Sequence, residues 1–346
     1  MLVGDDEEVN PRLGMDIPKD GHRLVLMDEA RWLATSDDLT EDTEISHSLP
    51  SSVREVDMPE LPEVETIRRT LAPVLIGALV IGALRGEHPE DILLDPWPVF
   101  ARRVRRHRIV ALERRGKYLA ARFEDGDRLV IHLGMTGELR LSHPANARGK
   151  HCHLALVLRS LRPLPPSLVD QRQRFLLRYL DIRRFGRIAL LDQAGWETFT
   201  ARLGPEPLDP TLDPRALWSR LRERRAAIKA ALLDQALLAG IGNIYANEAL
   251  YQARLHPARR CRTLSLDEVE RLLVALRTVL SAAIENAGTT IRDYRDGQGR
   301  AGSFQSQLQV YGKPAGTPCP RCGTGLARIR IAGRSSVFCP GCQLLE

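Results

Sequence analysis

The sequence predicts an α+β protein of several domains: a leading helix with an antiparallel β-sandwich, then a helical domain, then a small β-hairpin module with cysteines. Three observations predict this order. Apolar residues follow a helical period after residue 60, a strand-like pattern from about 78 to 192, and a helical period again from 211 to 288. Four of the six cysteines form two pairs near the C-terminus. A chain of 346 residues is also too long for one small core, which favours two or three domains.

The leading helix is predicted to begin near Pro62. Glutamates come first and arginines follow, an order that matches the helix dipole. The charged positions are Glu63, Glu65, Arg68 and Arg69, and the apolar positions on one face are Val64, Ile67, Leu71 and Val74. This spacing predicts a helix with one buried face.

Short strands are predicted to follow, and the first two flank the turn signal Asp125-Gly126. The strand patterns are Tyr118–Phe123, Arg128–Leu133, His153–Leu158, Phe175–Leu180 and Arg187–Leu191. Such a series is typical of an antiparallel sandwich. Residues 159–174 contain three prolines and predict a long surface loop, and residues 204–207 predict a hinge between domains.

Helices are predicted over 221–238, 244–255 and 265–287. The last is the clearest, because Ser265 and Glu268 make a capping box at its start. Glycines then recur among charged residues over 289–302, which predicts a mobile loop before the cysteine module.

Charge is distributed unevenly along the chain. Residues 1–57 carry 15 acidic against 5 basic side chains, a net charge of −10, whereas residues 58–346 carry +16. A basic body of this kind favours a polyanion such as nucleic acid as partner. We expect the acidic extension, residues 1–57, to be disordered or not translated. No stretch has the roughly 20 apolar residues of a membrane helix, so we expect a cytoplasmic protein without a membrane partner.

The cysteine pairs have metal-ligand spacing. Two C-x2-C units are separated by sixteen residues, so four thiolates can surround one tetrahedral Zn²⁺ with no open position. The ligands predicted for this structural zinc are Cys319, Cys322, Cys339 and Cys342. Strand patterns between the pairs predict a hairpin with Arg334 at its tip, where it either contacts phosphate or is an ordinary exposed arginine.

Two other segments carry possible chemistry. The turn Gly240–Asn243 opens a predicted helix, so its N–H groups suit an anion such as a DNA phosphate; the alternative is a tight turn with no ligand. If a chain began at Pro59, the proline would expose a secondary amine, which attacks a sugar carbon to give an iminium. Glu60 could then exchange protons in the same site. Within a longer chain the same segment is only a proline-rich helix entry.

Taken together, these segments resemble formamidopyrimidine-DNA glycosylases, and the likeness runs from Pro59 to Cys342. The matching segments are 59–66 (PELPEVET), 115–119 (RGKYL), 132–137 (HLGMTG), 181–186 (DIRRFG), 203–208 (LGPEPL), 240–246 (GIGNIYA), 288–290 (GTT), 309–312 (QVYG) and the cysteine module. The resemblance implies a β-sandwich domain over 59–200, a helix-two-turns-helix domain over 208–290 and a zinc finger over 303–346. It also implies excision of oxidised purines, 8-oxoguanine and formamidopyrimidines, from duplex DNA in base excision repair, followed by strand cleavage through β- and δ-elimination. We expect a monomer that associates with the bacterial nucleoid while on DNA.

The resemblance also implies roles for individual residues. Pro59 would attack C1′ of the damaged nucleoside, Glu60 would act as acid and base, and Glu63 would support the site. The residues matched to phosphate or other DNA contacts are Lys117, His151, Lys229, Asn243 and Arg334. The residues matched to filling the gap left by a flipped nucleotide are Met135, Arg183 and Phe185. Arg292 stands where some members have lysine.

One departure from the family pattern matters. The family's nucleophile is a free chain terminus, yet 57 residues precede Pro59 here, and a peptide-bonded proline nitrogen is an amide without a basic lone pair. We expect translation to begin at Met58. Two alternatives stay open: a non-enzymatic or autoinhibited zinc-finger DNA-binding protein that keeps residues 1–57, and the sister branch that removes oxidised pyrimidines. Leu61 argues against that branch, whose members usually begin Pro-Glu-Gly-Pro.

Overall fold

The computed structural model describes residues 58–146, 149–291 and 294–345. The predictions made for residues 1–57 and for Arg292 lie outside these described residues. Among the described residues, no helix is long and apolar enough to cross a membrane.

The leading helix, α1, spans Leu61–Leu75 and has Pro62 in its first turn. The predicted apolar face is confirmed: Val64, Ile67 and Leu71 are buried, and Val74 packs partly buried against the same core. A proline in the first turn loses no helical hydrogen bond and presets the backbone, which explains why the helix begins here. The helix thus fixes the two residues that precede it, Pro59 and Glu60.

The N-terminal domain is a sandwich of two four-stranded antiparallel sheets. The strands are β1 (Leu79–Arg85), β2 (Ile109–Arg115), β3 (Tyr118–Phe123), β4 (Arg128–His132), β5 (Gly137–Ser142), β6 (Cys152–Arg159), β7 (Arg174–Asp181) and β8 (Arg187–Leu191). One sheet has the order β1-β6-β7-β5 and the other β2-β3-β4-β8. Apolar side chains of both sheets and of α1 share one core. The five predicted strands are confirmed, whereas β1, β2 and β5 were not predicted.

Further helices complete this domain and form the helical one. They are α2 (Trp97–Arg103), α3 (Gln193–Ala201), α4 (Pro214–Arg222), α5 (Ile228–Leu233), α6 (Asn243–Gln252) and α7 (Leu266–Glu285). The predicted capping box of α7 is confirmed. The prediction of one helical pattern over 221–238 is wrong, because Ala227 is extended and forms a bridge to Arg260. Tertiary pairing overrides helix propensity at this point.

The C-terminal module is a hairpin of β9 (Ala327–Ile331) and β10 (Arg334–Phe338). It docks on α6, since the Val337 N–H donates to Asn247 Oδ1 at 3.0 Å. The buried Glu248 carboxylate accepts three backbone N–H groups from the segment 309–311, at 2.7 to 2.9 Å. The hairpin therefore has a fixed position relative to the helical domain.

The start of α1 lies at the junction between the sandwich and the helical domain. Leu61 is fully buried among apolar residues of α6 and α7, including Tyr245 and Leu280. Its N–H donates to the Gly240 carbonyl at 3.0 Å. The catalytic segment predicted from the sequence thus lies where the two domains meet.

Candidate active site

Glu60 binds the N-terminus of helix α6. Its carboxylate is buried and accepts the N–H groups of Gly242 at 2.8 Å and Ile244 at 2.9 Å. These are the free N–H groups of a helix start, where the dipole favours a negative charge. An anion was predicted at this turn, but the anion is the Glu60 carboxylate. Glu60 therefore takes the N–H groups of Gly242 and Ile244, and a phosphate contact elsewhere at this turn stays a prediction beside the alternative of a turn with no external ligand.

The close approach of Glu60 depends on glycine. A Cβ on Gly242 would lie 2.3 Å from Glu60 Cδ, and a Cβ on Gly240 would lie 2.8 Å from Leu61 Cβ. Gly240 also has a φ of +97°, which a larger residue adopts only with strain. The turn therefore has space for the start of α1 only because both positions lack side chains.

Glu63 lies in the same buried junction and organises the backbone around it. Its Oε2 accepts the Glu60 N–H at 2.9 Å, and its Oε1 accepts the Thr289 N–H at 2.7 Å and the Tyr245 hydroxyl at 2.5 Å. Burial raises the pKa of Glu63, and these three hydrogen bonds oppose the rise. Glu63 thereby ties the segment before α1 to α6 and to the segment after α7.

Tyr245 is a site residue to which the sequence assigned no role. Its hydroxyl lies 2.9 Å from Thr289 Oγ1 as well as bonding Glu63. Burial, and then the charge of Glu63, raises the pKa of Tyr245 well above its usual value, so the phenol stays protonated. The sequence feature that could have pointed to Tyr245 is its place in the segment 240–246, two residues after Asn243.

Lys117 lies in the β2–β3 turn, close to the same junction, and is buried. The turn is held by Glu206, whose Oε1 accepts the Gly116 N–H at 2.6 Å and whose Oε2 accepts Arg114 at 2.7 Å. Burial, followed by the nearby charge of Lys117, lowers the pKa of His132 to about 3, so that this histidine is neutral. The alternative of Lys117 as an ordinary solvated surface group is wrong.

Lys229, Asn243 and Arg334 converge on the zinc-finger hairpin. Lys229 is fully buried, and its ammonium donates to the Ser335 carbonyl and to Ser336 Oγ at 2.8 Å. Asn243, also buried, is the first residue of α6 and bonds Asn247, the residue that holds β10. Arg334 is partly exposed at the start of β10. Lys229 and Asn243 are therefore not ordinary surface residues either.

The residues matched to gap filling lie in two adjoining loops at one end of the sandwich. Phe185 is 41% exposed, so the alternative that it belongs to the core is wrong. The Arg183 guanidinium stacks over its ring at 4.7 Å. Met135 is half-buried in the loop between β4 and β5. His151 is exposed before β6, and its carbonyl accepts the Asp181 N–H, which brings it close to these loops.

The four predicted metal ligands come together. All four sulfur atoms lie within 4.8 Å of one another, and the closest pairs, such as Cys322 and Cys339, are 3.4 Å apart. A tetrahedral Zn²⁺ with Zn–S bonds of about 2.3 Å needs sulfurs roughly 3.8 Å apart, so the arrangement fits one zinc ion. The predicted zinc site is confirmed.

Three family models match the chain in the order of the observed domains. They are the formamidopyrimidine-DNA glycosylase N-terminal domain over residues 58–188, the formamidopyrimidine-DNA glycosylase H2TH domain over 203–295 and the zinc finger found in FPG and IleRS over 316–344. The chain belongs to the formamidopyrimidine-DNA glycosylase family. It is accordingly a DNA-repair glycosylase that binds DNA and has a zinc finger, and the predicted fold class is confirmed.

Relatives of this glycosylase match the chain over nearly the whole of their own length. The formamidopyrimidine-DNA glycosylase of Thermomicrobium roseum is 97% identical over 289 residues, which cover 84% of this chain and 100% of the relative. A mutant of the Lactococcus lactis FPG in complex with Fapy-dG-containing DNA is 34% identical with a TM-score of 0.74, covering 83% of this chain and 100% of that one. A structure of MutM in complex with DNA containing carbocyclic 8-oxo-G is 34% identical with a TM-score of 0.73 over the same shares.

Proposed function

We propose that this glycosylase excises oxidised purines, 8-oxoguanine and formamidopyrimidines, from duplex DNA and then cleaves the strand as a lyase. The observation that carries the proposal is the junction around Pro59. A buried proline is followed directly by a carboxylate held at a helix N-terminus, and a second buried carboxylate bonds the backbone between them. The lesions present in the solved complexes of relatives, Fapy-dG and 8-oxo-G, support the purine substrate class.

The proposed reaction begins at the Pro59 nitrogen. The free secondary amine attacks C1′, the bond from C1′ to the base breaks, and the base leaves with a proton from solvent. Glu60 takes the proton from the Pro59 nitrogen and gives it to O4′ as the C1′–O4′ bond opens, leaving an iminium. Loss of a C2′ proton then expels the 3′-phosphate, and a second elimination expels the 5′-phosphate.

This mechanism requires Pro59 to be the first residue of the active chain. An amine at a chain terminus titrates near 8, so a useful fraction is unprotonated at neutral pH, whereas an amide nitrogen is not nucleophilic. The match to the family's N-terminal domain begins at residue 58. Residues 58–346 number 289, and the Thermomicrobium roseum relative matches this chain over 289 residues, which are its whole length. We therefore propose that translation begins at Met58 and that this methionine is removed.

We further propose that polar and basic side chains around the junction bind the DNA backbone on both sides of the lesion. Lys117, Asn243 and Arg334 would contact phosphates, with His151 farther along the duplex. Lys229 holds the strand that carries Arg334, and so it would place the cationic end of the hairpin against the DNA. One chain contains every residue of this site, and we propose that it acts as a monomer on duplex DNA with oxidised purines or abasic sites.

Met135, Arg183 and Phe185 would fill the space left by the extruded nucleotide. Apolar side chains replace lost base stacking, and an arginine can hydrogen-bond the base left without a partner. The exposure of Phe185 and its stacking with Arg183 support this role, because an accessible aromatic ring can stack on a neighbouring base.

The test compares two forms of the protein, one beginning at Pro59 and one carrying residues 1–57. Each is incubated with duplex containing an abasic site and borohydride, which reduces an iminium to a stable adduct. We expect an adduct joined to Pro59, located by peptide mass spectrometry, only with the first form. Sequencing the N-terminus of the protein from its native cells shows which form exists.

Substrate class is tested with 8-oxoguanine and thymine-glycol duplexes. Faster cleavage of 8-oxoguanine is expected, and preference for thymine glycol would assign the chain to the oxidised-pyrimidine branch. DNA binding without any adduct from the form beginning at Pro59 would refute the lyase mechanism and support the non-enzymatic alternative.

A further inference from the structure

We propose that Asp181 is a positioning residue that holds the two gap-filling loops in the shape required to enter the base stack. The inference rests on the proposed function, because it concerns the same insertion of Met135, Arg183 and Phe185. No part of the sequence argument gave Asp181 a role.

The Asp181 carboxylate lies buried at the end of β7, beneath both loops. Its Oδ1 accepts the Thr136 hydroxyl at 2.5 Å and the Arg183 N–H at 3.1 Å. Its Oδ2 accepts the Gly186 N–H at 2.8 Å. One carboxylate therefore bonds the residue after Met135 and both ends of the segment that carries Arg183 and Phe185.

The two loops are also fastened directly to each other. The Arg183 N–H donates to Thr136 Oγ1 at 3.0 Å, so Thr136 bridges the carboxylate and the second loop. Gly134 has a φ of +60°, and a Cβ there would lie 2.5 Å from the Phe185 carbonyl carbon. The two loops thus form one structural unit, and the Asp181 carboxylate bonds both of them.

The base of this unit is rigid. The Tyr179 hydroxyl donates to Asp181 Oδ2 at 3.3 Å, and His153 Nε2 lies 2.7 Å from the Asp181 carbonyl. Tyr179 and His153 are both buried in the sandwich. Asp181 therefore connects a half-buried loop and the exposed residues 182–185 to a fixed core, an arrangement that lowers the entropy lost when the loops order against DNA.

The perturbation is Asp181→Asn, which keeps the side chain's size but turns one acceptor oxygen into a donor. The amide has one acceptor oxygen, so either the Gly186 N–H or the pair formed by the Thr136 hydroxyl and the Arg183 N–H loses its acceptor. Hydrogen bonds to a charged acceptor are strong enough that we expect insertion to slow by about 10-fold or more. The matched control is Asp170→Asn, which changes a loop-capping carboxylate in the 159–174 loop, where it bonds Arg172 and Arg174.

Insertion is measured by stopped-flow fluorescence of a 2-aminopurine placed beside the lesion in duplex DNA, with protein beginning at Pro59. Borohydride trapping on a single-stranded abasic oligonucleotide reports the chemistry separately, because a single strand has no stack to fill. We expect Asp181→Asn to slow the fluorescence change and duplex excision while leaving single-strand trapping close to that of Asp170→Asn, measured at a temperature at which both variants are folded.

The outcomes distinguish the two proposals. If the unmodified protein traps no abasic site, the proposed function fails. If it reacts but Asp181→Asn inserts as fast as Asp170→Asn, the positioning role is refuted. Equal losses in the duplex and single-strand reactions would also refute it, since they would show that Asp181 serves only the folding of the domain or the chemistry.

Discussion

Replacing Gly242 by alanine should displace the Glu60 carboxylate from the start of helix α6. The new Cβ would lie 2.3 Å from Glu60 Cδ and 2.5 Å from Oε1, far inside contact distance, and the obstacle is a side chain that is itself buried. The carboxylate accepts hydrogen bonds from Gly242 and Ile244. Moving it away weakens at least one of these bonds.

The size of the expected loss of stability follows from those two hydrogen bonds. A hydrogen bond to a charged acceptor contributes about 1.5–3 kcal/mol, so losing one should lower the free energy of unfolding by about 2 kcal/mol. If Glu60 transfers the proton in the slow step, about 2 kcal/mol also corresponds to a single-turnover rate of base excision roughly 30-fold lower. Gly82→Ala is the matched control, because a Cβ at Gly82 meets nothing within 4 Å.

The assays are urea unfolding and single-turnover excision of 8-oxoguanine by protein beginning at Pro59. The reasoning would be refuted if Gly242→Ala and Gly82→Ala gave the same stability and the same rate. A loss of stability without a loss of rate would show that the helix start needs the carboxylate but that the proton transfer does not.

Three further outcomes are expected. Tyr245→Phe removes a bond that stabilises ionised Glu63, so its destabilisation in urea should grow as the pH rises through the raised pKa of Glu63; a difference that stays constant with pH would contradict this. Burial opposes ionisation of Glu65, but hydrogen bonds from Arg68 and Arg69 outweigh the effect of burial and lower the pKa of Glu65 to about 2. Its stabilisation is present above pH 4.5 and is lost as pH falls towards 2, so Glu65→Gln should be about 1–2 kcal/mol less stable at pH 7 and equal to the parent near pH 2, by thermal unfolding. Removing zinc with a chelator should weaken DNA binding, measured by fluorescence anisotropy, because Arg334 loses its fixed position; added Zn²⁺ should restore it, and unchanged affinity would argue against a role for the hairpin.

Local patterns allowed much of the fold to be predicted. The zinc ligands follow from a spacing of a few residues, and helix α7 follows from its own capping box and apolar face. Two of the three missed strands are less regular. Strand β1 contains a register shift next to Gly82, and β2 ends in arginines that bond glutamates of other segments. An alternating pattern is interrupted in both cases, so propensity alone could not identify them.

The site was predictable only in part, because its decisive contacts join distant segments. The glycine turn indicated an anion, but Glu60 lies 182 residues before Gly242, and only the fold brings them together. The resemblance supplied Lys229 as a DNA contact without showing that its ammonium is buried against the hairpin. Asp181 and Tyr245 lay inside recognised motifs, yet nothing local distinguishes a residue that bonds a loop from any other polar residue.

The location of Pro59 at a junction of distant segments has a consequence for protein synthesis. Glu60 and Glu63 obtain their partners from Gly242, Tyr245 and Thr289, which the ribosome adds some 180 to 230 residues later. The sandwich can collapse earlier around its own core, as domains generally do during translation. A nascent or truncated chain would then display the proposed nucleophile, Pro59, without the groups that position it. We expect such fragments to leave the chromosome uncut, so that the proposed strand-breaking activity appears only when the whole polypeptide has been made.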